Sequence, residues 1–132
     1  MALVVPNDGE VDALEALVNR TTATNPILRL YSSNTTPAET DTAGTYTEYA
    51  ATGYAAITLT GASWGAASGG APSSIAFAQQ TFTMTGAGDA YGYYMTRTTS
   101  GRIMLAERFT GAPFSIPAGG GTIKVTPSIT AD

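Results

Sequence analysis

Carboxylates are the side chains of this chain best suited to acid–base chemistry. The 132 residues include no His, no Cys and one Lys, Lys124. The chain therefore has no side chain that ordinarily titrates near neutral pH, no thiolate nucleophile and no soft-metal ligand set. Thr, Ala, Gly and Tyr fill short alternating segments instead. This composition favours a β-scaffold that works through contact with another molecule, and it argues against an enzyme.

Glu107 is the carboxylate that the sequence singles out. It lies in phase with Ile103 and Leu105, so strict alternation along a strand points it inward. A buried, unpaired carboxyl has a raised pKa and can act as a general acid. We favour a structural role, either an ion pair with an Arg such as Arg97 or Arg29, since such pairs also bury carboxylates, or a strand that ends before Glu107. Glycoside hydrolysis needs a second positioned carboxylate, and the sequence places none beside Glu107, so we predict no catalytic residues.

Two loop features could be taken for ligand sites. Glu39 and Asp41 follow Pro37, but two carboxylates fall short of the EF-hand pattern, which fixes several ligands and a glycine. We expect them to keep a loop solvated. The glycines of segment 86–89 are followed by no helix or parallel-strand unit, and we interpret them as a turn. The sequence therefore predicts no metal site and no cofactor.

Charge and the N-terminal residues exclude two classes of partner. The net charge is −4 and no run of Lys or Arg exists, whereas binding to phosphate groups needs clustered basic residues. We therefore predict no direct contact with nucleic acid. Residues 1–6 carry no basic residue and only a short apolar run, so we predict neither a signal peptide nor a membrane span. The protein is expected to be made in a cytoplasm.

A short helix is predicted near the N-terminus. Asn7 is placed to cap it, and Glu10 is placed to complete a capping box. The helix is expected to end near Asn19. Four apolar residues recur at three- and four-residue steps and share one face: Val11, Leu14, Leu17 and Val18. We favour a stripe that covers an open side of the sheet, and docking on a neighbouring subunit is the alternative.

Short strands are predicted after Pro26. Their spacing and turn signals are typical of a single antiparallel β-sandwich, of which a jelly roll is one arrangement. A phase change predicts a break near residues 79–80. We divide the chain into an N-terminal arm with a short helix (1–25) and a β-sandwich domain (26–132). Loops are predicted at 32–45 and 66–74. The clearest strands are predicted at 27–31, 54–59, 91–97, 102–109, 114–116 and 122–126.

The tyrosines are candidates for a binding surface. Alternation puts Tyr91 and Tyr93 on one face of a strand and Tyr94 on the other. One of these faces should be partly exposed in a sandwich, and we predict Tyr94 as an exposed aromatic contact. Core packing of the same rings is the alternative.

Three stretches together resemble a known family. They are residues 1–10 leading to 28–34, residues 91–94 with 105–109, and residues 114–127. The chain resembles small virion proteins of tailed bacteriophages and is similar to capsid decoration (cement) proteins. The resemblance implies a non-enzymatic β-rich protein, made in the host cytoplasm, that binds the outer capsid surface and braces neighbouring major capsid proteins. It also implies a homotrimer without catalytic residues.

The N-terminal arm and helix are our predicted contact with the capsid or with another subunit. The residues expected to supply this contact are apolar: Leu3, Val4, Val5, Pro6, Val11, Leu14 and Leu17. The main rival is a receptor- or glycan-binding module of a phage tail or baseplate, which would use Tyr94 and the Gly-rich loops instead. A carboxylate glycosidase built on Glu107 is the weakest alternative.

Overall fold

The protein is mainly β with one short N-terminal helix, as the sequence predicts. The computed structural model describes residues 3–18, 20 and 24–131. The helix is α1 (Asn7–Leu17). The strands are β1 (Pro26–Tyr31), β2 (Ile57–Thr58), β3 (Ser73–Ala76), β4 (Gln80–Met84), β5 (Gly88–Ala90), β6 (Gly92–Arg97), β7 (Ile103–Arg108), β8 (Phe114–Ile116), β9 (Gly121–Val125) and β10 (Ser128–Ala131).

A four-stranded antiparallel sheet forms the centre of the fold. Its strands lie in the order β2–β1–β6–β7. Beyond β7, Val4 adds an antiparallel bridge with Ala106, and each N–H donates to the other carbonyl at 2.9 Å. The arm therefore joins the β-domain through backbone hydrogen bonds. The remaining strands form three antiparallel ribbons, β3 with β10, β4 with β9 and β5 with β8.

The main core joins one face of this sheet to the ribbons. Leu28 and Leu30 of β1 and Met95 of β6 are fully buried in it. The β4–β9 ribbon contributes alternate residues, because period-2 alternation points every second side chain to one face. These residues are Phe82, Met84, Ile123 and Val125. The arrangement is an antiparallel sandwich whose second side is divided into short ribbons.

A bulge in β7 changes the phase of its side chains. Thr96 pairs with Ile103 and Met95 pairs with Leu105, so Met104 is the extra residue. Leu105 consequently lies in the main core, whereas Ile103 joins a second cluster with Tyr31 and Tyr94 on the other side of the sheet. The expectation that Ile103 and Leu105 share a face is wrong for this reason.

Most predicted strands are present, and one is much shorter than predicted. The β6–β7 hairpin and the break near residues 79–80 are confirmed: β3 and β4 pair with different strands. Of the predicted strand 54–59, only Ile57–Thr58 forms a ladder. The hydroxyl of Tyr54 accepts the Leu30 N–H at 3.1 Å where a backbone partner would otherwise lie. Strand β3 also begins inside the predicted loop 66–74.

Substitution of Gly92 by Ala tests the packing of the central hairpin. A Cβ at Gly92 would overlap the Glu107 carbonyl oxygen and the Tyr31 side chain. We expect Gly92→Ala to lower the free energy of unfolding by about 2–4 kcal/mol, because neither neighbour can shift without disturbing the ladder or the cluster. Gly69→Ala is the control, since nothing lies within 4 Å of its Cβ position. Equal denaturation midpoints for the two variants in urea would contradict this packing.

Candidate functional site

The apolar face of α1 points away from the protein. The favoured expectation, that this stripe covers the sheet, is wrong. The stripe residues are large and exposed: Val11 (43%), Leu14 (63%), Leu17 (81%) and Val18 (72%). The residues of α1 that are buried are instead Gly9 and Asp12. The helix therefore uses its polar side to contact its own protein.

An ion pair between Asp12 and Arg97 holds the helix in this orientation. The Nε and Nη2 groups of Arg97 both donate to Oδ2 of Asp12, at 2.9 and 2.6 Å. The third guanidinium nitrogen, Nη1, donates to the Thr24 carbonyl at 2.9 Å. Both side chains of the pair are largely buried. Because breaking a buried pair is much more costly than breaking an exposed one, this contact fixes the side of α1 that faces the sheet.

A second ion pair lies one turn further along the same side of α1. Glu15 accepts a hydrogen bond from Nη1 of Arg102 at 3.2 Å. Residues three apart share a helix face, so Asp12 and Glu15 point the same way. Arg97 ends β6 and Arg102 lies just before β7. The two pairs therefore clamp α1 across the turn that joins these strands.

Gly9 lets the helix approach the sheet closely. A Cβ at this position would overlap the Met104 carbonyl oxygen and touch that of Ile103. The helix can therefore reach its ion-pair partners only because residue 9 has no side chain. No local sequence pattern indicates this contact, because both carbonyls lie about 95 residues away along the chain.

The start of α1 differs from the predicted cap. The helix begins at Asn7, its N-cap is Pro6, and no side chain caps it. The predicted capping by Asn7 and the capping box with Glu10 are therefore wrong. Pro6 is buried, and its carbonyl accepts the N–H groups of Gly9 and Glu10. Asn7 is already helical, and its N–H donates to the Glu39 carbonyl at 2.9 Å. The predicted end at Asn19 lies outside the described residues.

The predicted contact residues fall into two groups. Leu3 and Val5 are half-buried and pack against the main core, and Val4 pairs with β7. These arm residues are used within the chain, as is the buried Pro6. The other three predicted residues lie exposed on α1: Val11, Leu14 and Leu17. Of the predicted contact residues, those left accessible are thus the ones on the helix face.

Tyr94 is not an exposed aromatic contact, and that prediction is wrong. It is 4% exposed and stacks on Tyr46 at 5.2 Å between ring centroids. The predicted placement of Tyr93 and Tyr94 on opposite faces is confirmed, but Tyr91, which lies outside β6, packs against the second cluster with Tyr94 and not with Tyr93 as predicted. Residues 32–48 fold back over the Tyr94 face of the sheet. At one end of the segment, Arg108 donates a hydrogen bond to Asn34 Oδ1. At the other end, Nη1 of Arg29 forms an ion pair with Oε2 of Glu48 at 2.6 Å.

Glu107 is held by a tyrosine. The Tyr93 hydroxyl donates to Glu107 Oε2 at 2.5 Å, and the two residues are directly paired across β6 and β7. The predicted ion pair with Arg97 or Arg29 is wrong, because both guanidinium groups are bound to other carboxylates. The alternative, a strand that ends before Glu107, is also wrong, because β7 continues to Arg108. Burial, together with the hydrogen bond to Glu107, raises the pKa of Tyr93. The contact links two strands of the sheet.

The loop carboxylates also make local contacts. Asp41 accepts hydrogen bonds from the Tyr46 hydroxyl at 2.6 Å and the Ala38 N–H at 2.9 Å, while Glu39 is exposed. Within the described ranges, no group of three or more acidic, His or Cys residues could hold a metal ion.

The predicted turn at 86–89 is wrong in its second half, because β5 begins at Gly88.

A second apolar surface lies beside β8 and β9, and the sequence analysis missed it. We call it the aromatic cleft; it has a volume of about 350 Å³, and its lining includes Phe109, Phe114, Thr122, Ile123 and Lys124. Phe114 is 48% exposed and meets Phe109 edge-on at 5.2 Å between centroids. The sequence did carry a sign of this surface. Phe114 follows Pro113 and begins a strand of only three residues, and so short a strand cannot cover both faces of the ring.

Comparison with known proteins adds no family to these observations. No model of a known protein family matches the chain, and no curated protein or solved structure matches it. Within the part of the chain that the structure describes, no helix is long and apolar enough to cross a membrane. A functional proposal therefore starts from the outward face of α1 and the aromatic cleft.

Removing the Asp12 carboxylate should release α1. In Asp12→Ala, Arg97 would stay buried without its partner, and breaking such a pair costs about 3–5 kcal/mol. A free helix of this length is marginal in water, so we expect it to detach while the strands stay folded. Amide hydrogen exchange in residues 11–17 should accelerate by about 100-fold. The control is Arg20→Gln, because Arg20 is exposed and lies 3.5 Å from Glu15. Unchanged exchange in Asp12→Ala would contradict the clamp.

Tyr31 should make stability fall at high pH. Burial raises its pKa to about 12; Arg108 opposes this effect, and Asp41 and Glu107 add to it. The unfolded state then loses its proton first, near pH 10, so the stabilising contribution is complete below about pH 10 and is lost between about pH 10 and 12. The slope from this residue is at most about 1.4 kcal/mol per pH unit. Urea unfolding across this range should show a smaller slope for Tyr31→Phe; equal slopes would contradict it.

Proposed function

We propose that this protein is a non-enzymatic structural protein of a phage virion, which binds the outer capsid surface and stabilises contacts between major capsid proteins. The observation that carries the proposal is the outward apolar face of α1. Contiguous exposed apolar surface on a folded protein marks a site of interaction. The resemblance of the sequence to capsid decoration proteins indicates that the assembly it joins is a phage capsid.

The energetics of α1 favour docking on a protein. Burying one large aliphatic side chain contributes about 1.5–3 kcal/mol, and the face offers Leu14 and Leu17 at high exposure. Two of the acidic side chains of α1, Asp12 and Glu15, are turned inward to Arg97 and Arg102. The helix is therefore already ordered with its apolar side outward, so the binding of a partner costs little further conformational entropy.

The use of the charged groups supports a role without chemistry. Asp12, Glu15 and Glu48 are bonded to arginines, and Glu107 is bonded to a tyrosine. The Asp12 and Glu15 contacts join residues 85 and 87 positions apart in the sequence, and the Glu107 contact joins the two strands of a hairpin. Groups held in this way stiffen the scaffold, and stiffness suits a protein that reinforces a shell. A binder selective for the mature lattice stabilises that lattice by mass action.

The rival function, a receptor- or glycan-binding module on a tail or baseplate, is weakened because its predicted contact residue is buried. It relied on Tyr94, whose ring is buried under Tyr46. Glycan binding would have to use other residues. The location of the protein on the particle separates the two functions.

Binding to phage heads tests the proposal. The probe is a preparation of mature heads from a phage whose gene for this chain has been deleted. We expect saturable binding of the wild-type protein and at least about 10-fold weaker binding of Leu14→Asp, because a charge on this face must be desolvated on docking. Removal of residues 1–20 should abolish binding. Ala13→Asp is the matched control, since it adds the same charge about 100° around the helix.

Immunogold labelling of intact particles gives the independent check. Label spread over the heads supports decoration. Label confined to tails, with no binding to heads, would overturn the proposal in favour of the tail module.

A further inference from the structure

We infer that α1 of one copy docks in the aromatic cleft of a second copy, with Glu10 beside Lys124, so that copies of this chain associate head to tail. The inference rests on the proposed function and names the partner of α1: within an assembly on the shell, α1 packs on a neighbouring copy, and Leu14→Asp weakens binding to heads by breaking that assembly. It assigns a role to the cleft, which the proposed function leaves unused.

The helix face and the cleft match in chemistry and size. Val11, Leu14 and Val18 stand at i, i+3 and i+7, which is the spacing of anchors when an amphipathic helix binds in a groove. The cleft presents the rings of Phe109 and Phe114 over a volume of about 350 Å³, near the lower end of the roughly 300–1,000 Å³ range of protein binding pockets. Such a cleft accepts one or two aliphatic side chains.

The charges at the two surfaces are complementary. Lys124 lines the cleft, and in the described part of the chain it forms no ion pair. Glu10 is exposed on the apolar face, four residues before Leu14, and it too forms no ion pair there. A charge pair at the rim of an interface fixes register and partner choice more than it adds affinity. Glu10 and Lys124 therefore suit the same contact from opposite sides.

A single copy cannot make this contact with itself. Gly9 lies against the carbonyls of Ile103 and Met104 at the start of β7, whereas Phe109 comes directly after its end. At about 3.3 Å per residue, these positions are roughly 17 Å apart. The ion pairs of Asp12 and Glu15 also keep the apolar face turned outward. The occupant is therefore α1 of a neighbour, and a contact between two different surfaces closes into a ring when the rotation permits.

Light scattering coupled to size-exclusion chromatography tests the inference. Loaded at about 1 µM to 1 mM, which spans weak to moderate affinities, the wild-type full chain should show a mass above that of the monomer. Leu14→Asp, which damages the helix face, and Phe114→Asp, which damages the cleft, should each be monomeric. Both residues are exposed, so circular dichroism should confirm that the variants fold. Ala13→Asp and Ala118→Asp are the matched controls and should associate like the wild type.

Mixing the two damaged variants gives the sharpest outcome. Leu14→Asp keeps an intact cleft and Phe114→Asp keeps an intact helix, so an equimolar mixture should form one-to-one dimers and nothing larger. Lys124→Glu should weaken association at least about 3-fold, and adding Glu10→Lys should restore it. A monomeric wild type across the whole range, or a mixture that stays monomeric, would overturn the inference.

The same proteins separate this inference from the proposed function. A wild type that stays monomeric but binds heads through Leu14 would refute self-association and leave decoration standing. A wild type that associates as described but binds no heads would refute decoration and leave the interface standing.

Discussion

The buried ion pair between Asp12 and Arg97 determines which face of α1 is exposed on the surface of this protein. An amphipathic helix ordinarily turns its apolar side to the core. Here the acidic side of α1 is turned inward, because Arg97 at the end of β6 donates two hydrogen bonds to one carboxylate oxygen of Asp12. Gly9 allows the close approach that this pairing requires. The pair adds less to stability than its short distances suggest, since both charges must leave water, but it leaves Leu14 and Leu17 exposed.

The rest of the scaffold keeps Arg97 in place. The β6–β7 hairpin carries both arginines that clamp α1, and its bulge near Met95 sends Leu105 and Ile103 to opposite faces. The two cores thus share one hairpin, with mixed aliphatic and aromatic packing on one side and a tyrosine cluster on the other. Contacts such as Tyr93 with Glu107 tie neighbouring strands together. Such contacts stiffen the scaffold that positions α1.

The sequence predicted local features well and distant contacts poorly. Turn residues and alternation were enough for the β6–β7 hairpin, for β8 and β9 and for the break near residues 79–80, but not for β10. The existence of α1 followed from its spacing, but its orientation did not, because the partner of Asp12 lies 85 residues away. Tyr94 was placed on the correct face, yet its exposure depended on how residues 32–48 fold back. The aromatic cleft was missed because its walls come from three separate segments.

Thiol labelling of Leu14→Cys tests the orientation of α1 most directly, since the chain has no native cysteine to interfere. In dilute solution, where copies are separate, the thiol should react with a disulfide reagent nearly as fast as in denaturant, because the side chain it replaces is 63% exposed. Leu28→Cys, at a fully buried position, gives the slow reference rate. A thiol at position 14 that reacts as slowly as the one at position 28 at every dilution would show that α1 buries its apolar face, and it would contradict the account.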